Sequence, residues 1–328
     1  MTVMNVRRRT RAGARRLIPA AAVAAVTALA AGTLTGCSDS AAAVNTSKFD
    51  VVASFYPMQF LAEQIGGRHV HVTTLTSPGQ EPHDLEISPQ QIAALEESDA
   101  VLYLKNLQPS VDDAVAQSPV GTKIEASSFT TLEEHGNEVG GHAAGHDTHQ
   151  GEESAGKDPH IWLDPERYAQ VAEGVGKAFE KADPEHAADY RKNTVKLVGR
   201  LDALDSAFRQ GLAHTRSKVF LTTHAAFGYL AERYGLTEEA VNGLDPESEP
   251  SAARVRDLER MAEADGVSTV FYETLVSDKT ARTLAHDTGL RTDVLDPIEG
   301  ITDQSRGRDY LAVQQANLKA LRKALGAK

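Results

Sequence analysis

The chain has 328 residues, with 34 Lys and Arg against 46 Asp and Glu, a formal net charge of −12, and a single cysteine. That acidic balance excludes a nucleic-acid binder, which needs a basic surface, and one cysteine excludes an intramolecular disulfide framework. The length suffices for one large or two medium domains.

The first 36 residues read as an address. Six arginines and no acid precede an uncharged Ala-rich run from Leu17 to Thr35, the charged and apolar regions of a secretory signal. A permanent span wants about 20 strongly apolar residues, which this run lacks. "LTGC", Leu34 to Cys37, resembles the bacterial lipobox, in which cleavage before the cysteine leaves an N-terminal thiol for diacylglyceryl attachment. Lipidation of Cys37 and anchoring to the outer face of the cell membrane are therefore expected, with Sec and twin-arginine export both open. Removal of residues 1–36 leaves 28 Lys and Arg against 46 Asp and Glu, an acidic surface that concentrates cations. Residues 37–47 are small and polar without periodicity and serve as a tether.

From residue 48 onward, strand and helix signals alternate. "FDVVASFYP", "HVHVTTLTS", "DAVLYLK" and "TKIEAS" are short β-rich runs, and "MQFLAEQIGG" and "SPQQIAALEES" between them carry helical spacing bounded by Pro, Ser or Gly. Such alternation predicts a parallel sheet covered on both faces, a first α/β lobe over residues 48–183. Inside it, residues 133–157 hold Gly, Ala, acids and His135, His142, His146 and His149, a composition that cannot bury a core. Two segments then open on Asp-Pro, an N-cap followed by proline in the first helical turn. The second, residues 184–213, has apolar or aromatic residues at Tyr190, Val195, Leu197, Val198, Leu201, Leu204 and Phe208 and no internal proline. It predicts a rigid connecting helix of roughly 28 residues reaching about 42 Å. "KVFLTTH", "EEAVNG", "VSTVFYET" and "TDVLDP", each before a helical segment, repeat the scheme over residues 214–328. The expected fold class is α/β, two similar parallel-sheet lobes joined by one long helix.

Three histidines follow predicted strands. His83 lies in "SPGQEPHDLEISPQQ", His160 in "KDPHIWLDP" after the His-rich stretch, and His224 in "FLTTHAAFGYL". In open α/β sheets, ligands bind beyond the carboxyl ends of strands. A carboxylate candidate, Asp296 or Glu299, follows the last strand in "VLDPIEGIT". Three imidazoles and one carboxylate make a borderline-soft, four-coordinate set that suits Zn²⁺. Asp84, Glu86, Asp158 and Asp164 stand where they could orient the rings through the second ring nitrogen, and Trp162 is expected to pack beneath the site.

"EPHDLEISP", "DPHIWLDP", "THAAFGYL" and "LDPIEGIT", in this order around a long helix, resemble the zinc-specific metal-binding solute-binding proteins of ATP-binding-cassette importers. The resemblance covers nearly all of residues 48–328. It implies two lobes joined by one rigid helix, one metal in the interlobe cleft, and His83, His160 and His224 as ligands. Members of that family complete the shell with either carboxylate or with water; "PIEG" is similar to the Glu-using members, which favours Glu299 with Asp296 second. Manganese-specific relatives carry a carboxylate at the place of His224, so zinc is expected over manganese. By the same resemblance, His135, His142, His146 and His149 form a low-affinity zinc-gathering loop. The implied partner is a membrane permease, with the chain itself a monomer. A zinc hydrolase would require an open coordination position and a nearby base, and a surface adhesin would use the metal structurally; the lipobox, the two-lobe plan and the loop all favour capture and delivery.

Overall fold

The alternating signals fold into two four-stranded sheets in which every pairing is parallel. The computed structural model describes residues 48–135, 157–248 and 250–328. In the first lobe, β1 (Phe49–Ala53), α1 (Tyr56–Gly66), β2 (Val70–Thr74), α2 (Pro89–Glu97), β3 (Ala100–Tyr103), α3 (Pro109–Gln117) and β4 (Thr122–Glu125) give the strand order β2-β1-β3-β4. After α4 (Pro165–Ala182) and α5 (Ala187–Leu212) comes the second lobe: β5 (Val219–Thr222), α6 (Gly228–Tyr234), β6 (Thr237–Ala240), α7 (Ala252–Ala264), β7 (Thr269–Tyr272), α8 (Lys279–Thr288), β8 (Arg291–Val294) and α9 (Tyr310–Ala324). Its order, β6-β5-β7-β8, repeats the first.

In the central strands β1, β3, β5 and β7 most residues are buried because both faces are covered. In β1, Val51 and Ala53 join the large core that also contains α1, α4 and α5 residues, while Val52 points the other way to Leu95, Val101, Val111 and Val115. The second lobe has a corresponding outer cluster of Leu221, Leu258, Val270 and Leu284. Helix α3 is an addition to the expected elements. Its buried residues are Val111 and Val115, a single i, i+4 pair that leaves little periodicity to read.

Helix α5 is the expected connector. Its 26 residues correspond to about 39 Å. Near its start Asn193 Nδ2 donates to Ile65 O of α1 at 2.9 Å, and further along Arg200 donates to Gln64 at 2.7 Å. Near its end Asp205 accepts from Arg233 of α6 at 2.7 Å and Phe208 stacks on Tyr234 with centroids 5.1 Å apart. One rod thus touches both lobes. Tyr190, Leu197, Leu201, Leu204 and Phe208 are buried as the spacing predicts, whereas Val195 is 69% exposed and belongs to the solvent face. Helix α4 packs closely along α5 because Gly176 lacks a side chain: a Cβ there would lie 2.3 Å from Thr194 Oγ1. The signal segment, the tether, Cys37, and His142, His146 and His149 fall outside the described residues.

Candidate metal centre

Each candidate ligand is placed by a different local device. His83 lies on the loop between β2 and α2, which is pinned by buried Pro82 and Leu85 and ends in a capping box of Ser88 and Gln91. His160 begins a 3-10 turn, Ile161–Leu163, wholly buried, before Asp164 caps α4 by accepting from Glu166 N at 2.9 Å. His224 stands two residues past β5. Because Thr222 is in register with Phe271 of β7, two further residues on each strand set His224 beside Glu273, and the His224 Nδ1–Glu273 Oε1 separation is 2.8 Å. Glu299 sits in the buried segment Leu295–Gly300 after β8.

These four residues converge. One donor atom from each of His83, His160, His224 and Glu299 lies within 4.8 Å of all the others. Glu299 Oε1 is 3.3 Å from His83 Nε2, 3.4 Å from His160 Nε2 and 3.9 Å from His224 Nε2. Tetrahedral zinc with bonds of about 2.0–2.1 Å needs ligand atoms about 3.4 Å apart, so two of these three separations already match. Among the described residues, His160 Nε2, His224 Nε2 and Glu299 Oε2 are buried without a hydrogen-bond partner. Buried polar atoms are rarely left so, and a cation between the rings would satisfy the two unpartnered Nε2 atoms beside the Glu299 carboxylate. The opposite ring nitrogens are engaged: His160 Nδ1 is 2.7 Å from Asp158 Oδ1, as His224 Nδ1 is from Glu273 at its longer distance. That contact leaves Nε2 of each ring free to face inward, where it could ligate a metal.

The electrostatics favour positive charge. Burial opposes a charged His160, yet the hydrogen bonds and charges of Asp158 and Glu299 outweigh it and hold its pKa up at about 10. His224 is raised in the same way, burial being overcome by Glu273 and Glu299. For Glu299, burial acts to raise the pKa, but His160, His83 and His224 together bring it well below the ordinary carboxylate range. Asp158, also fully buried, is lowered by His135 and His160. Three buried carboxylates around three imidazoles make a pocket that a dication, or protons on the rings, can neutralise.

Asp296 is adjacent in sequence but outside this group. Its Oδ1 accepts from Ile298 N at 2.8 Å and its Oδ2 from Thr274 Oγ1 at 3.0 Å, so it holds a turn. Of the proposed ring-orienting acids, Asp158 takes that role. Asp84 and Glu86 are exposed, and Asp164 caps α4 and pairs with Arg233. Glu273 was not anticipated; the available signal was an acid directly after a strand, "VFYET", parallel to one ending in "LTTH". Glu81 is a further unanticipated neighbour, its carboxyl pushed up to about 7 by burial and the charge of Glu299. His135, grouped by sequence with the His-rich loop, is packed at the loop's root. Its Nδ1 is 2.7 Å from Asp158 Oδ2, and its ring meets Tyr229 edge-on at 4.4 Å. With Glu133 and Glu232 it forms a second group of potential ligands, in which Arg167 pairs with Glu133 and lies 3.9 Å from Glu232.

A family model described as "Zinc-uptake complex component A periplasmic" matches residues 51–324. The chain belongs to that family. Among curated relatives, the "Zinc-binding lipoprotein AdcA" of Streptococcus pneumoniae is 33% identical over 281 residues, covering 84% of this chain. The chain spans 55% of that relative's length. The "High-affinity zinc uptake system protein ZnuA" of Bacillus subtilis is 32% identical over 284 residues, covering 85% of this chain and 88% of its own length. A solved structure of the Zn(II)-bound ZnuA-like domain of Streptococcus pneumoniae AdcA superposes with a TM-score of 0.70 at 31% identity, over 85% of this chain and 99% of that one. Family membership accords with the two-lobed fold.

Proposed function

We propose that the chain is the extracytoplasmic zinc-capture component of an ATP-binding-cassette importer. In this reading Zn²⁺ is the cargo, held in the interlobe cleft by His83, His160, His224 and Glu299 and handed to a membrane permease. The supporting observation is the convergence of three imidazole nitrogens and one carboxylate within 4.8 Å, drawn from both lobes. Three nitrogens and one oxygen suit zinc over the harder manganese ion, which prefers carboxylate and water. Residues 1–36 would be removed on export, Cys37 would carry the lipid anchor, and residues 37–47 would tether the lobes, 48–183 and 214–328, to the membrane. Capture is favoured over hydrolysis because Glu299 would fill the fourth position that a catalytic zinc leaves to water.

The test is a competition titration of the metal-free protein with zinc and manganese against a calibrated chelator, alongside His224→Ala and Glu299→Gln. One tight zinc site, weakened by both substitutions and bound less well by manganese, is the expected result. Equal affinity for the two metals, or no loss in either variant, would overturn it.

A further inference from the structure

The segment that carries Glu299 contains an oddity. Ile298 has φ 62°, the left-handed region that β-branched residues avoid because Cβ crowds the backbone. A residue stays there only where its surroundings leave it no alternative, and the surroundings here are specific. Asp296 Oδ1 accepts from Ile298 N at 2.8 Å, and the Asn317 side chain grips Asp296 at both ends, accepting from its N–H at 3.0 Å and donating to its C=O at 2.7 Å. Those contacts all lie within the second lobe. A further one crosses from the first lobe: Trp162 Nε1 donates to Pro297 O at 2.6 Å. Trp162 is fully buried, its ring 5.1 Å from that of His160 and edge-on to Phe55 at 5.0 Å. Its own carbonyl accepts from Tyr310 OH of α9.

Resting on the zinc-capture reading above, we propose that Trp162 is a positioning residue for Glu299: its indole N–H clamps the Pro297 carbonyl, holds Ile298 left-handed, and thereby aims the carboxylate at the three histidines. Trp162 lies two residues from His160 on the same 3-10 turn, so one short element sets a first-lobe ligand directly and a second-lobe ligand through the clamp. Separating the lobes withdraws His160 and breaks the clamp in one motion. Ile298 then relaxes and Glu299 leaves the metal. Zinc release is coupled to lobe movement through the Trp162–Pro297 hydrogen bond, which crosses between the lobes.

The test is the rate of zinc loss to excess chelator, read with a zinc-responsive dye because Trp162 is the only tryptophan. Wild type is compared with Trp162→Phe, Glu299→Gln and the double variant, each checked for a cooperative thermal transition without metal. Trp162→Phe alone should speed release about tenfold or more. In the Glu299→Gln background it should add less than about twofold, since nothing remains to be aimed. With Ile298→Gly, which enters the left-handed region freely, the effect of Trp162→Phe should also shrink. Should Trp162→Phe fail to fold, Asn317→Ala, which frees Asp296, is subject to the same comparison with Glu299→Gln. Equal acceleration with and without Glu299 would overturn the clamp and leave zinc capture standing. Absence of tight zinc binding in wild type would overturn both.

Discussion

His160 and His224 differ from His83 in how they are held. The first two are buried and each presents Nδ1 to a buried carboxylate, Asp158 or Glu273. His83 has 12% side-chain exposure, sits on a loop, and among the described residues its ring nitrogen contact is Glu299 itself. In the proposed shell, two rings are therefore anchored by buried carboxylates and one, His83, is carried on a loop. An anchored ring is already oriented when an ion arrives and loses little freedom on binding, and on the proposed reading a loop-borne ring would contribute less to affinity.

The largest expected effect tests the anchored rings. His160→Ala and His224→Ala should each weaken zinc binding beyond the roughly hundredfold that losing an outer partner can cause, and more than His83→Ala. Chelator competition measures all three, and equal losses would erase the distinction. Next come the anchors. Asp158→Asn and Glu273→Gln should weaken binding about 10–100-fold, mainly through faster release in stopped-flow, with His83 unaffected as a ligand; no change would show that packing alone orients the rings.

The third prediction concerns pH. A ring whose folded pKa is raised stabilises the metal-free protein most fully below its unfolded value, about 6.5, and that contribution fades as pH climbs through the folded value, which for His160 is about 10. Zinc requires the neutral rings, so its contribution grows over the same window. The zinc-induced rise in Tm should therefore widen from pH 6 to pH 9, by scanning calorimetry, and this widening should be reduced in Asp158→Asn. A constant increment would contradict proton–zinc competition at the anchored rings. Smallest is His135→Ala. His135 reaches His160 only through Asp158, so zinc affinity should fall by less than about tenfold, the scale of one hydrogen bond. A loss as large as that of His160→Ala would make His135 a ligand.

Much of the fold was legible because its signals are local. Apolar runs mark the central strands, whereas the edge strands Thr237–Ala240 and Arg291–Val294 carry mostly polar residues; Asp164-Pro165 starts α4, while Asp183-Pro184 opens a short 3-10 turn and α5 begins only at Ala187. Helix α3 escaped because only Val111 and Val115 face the core, and Val195 was misplaced because one apolar residue does not disturb a helical stripe. His83 and His224 were legible from their positions after strands, and His160 from the "KDPHIWLDP" segment after the His-rich stretch. Their shared centre was not, since residues 83, 160, 224 and 299 are joined by packing and not by spacing.

By itself the sequence determined the repeated βα plan, the long connector and the kinds of ligand atom, because side-chain periodicity and capping act over a few residues. The resemblance favoured Glu299 over Asp296, and the tertiary structure shows how these two carboxylates, three residues apart in one buried turn, are placed differently. Asp296 engages both oxygens, with Ile298 N and Thr274, while Glu299 Oε1 lies within 3.9 Å of an Nε2 atom of each of the three imidazoles. Tertiary structure also chose Glu273 as a partner of His224, through a strand register that no local pattern encodes. Such choices depend on which groups are already satisfied when two lobes meet, and hydrogen-bond satisfaction is a property of the assembled core.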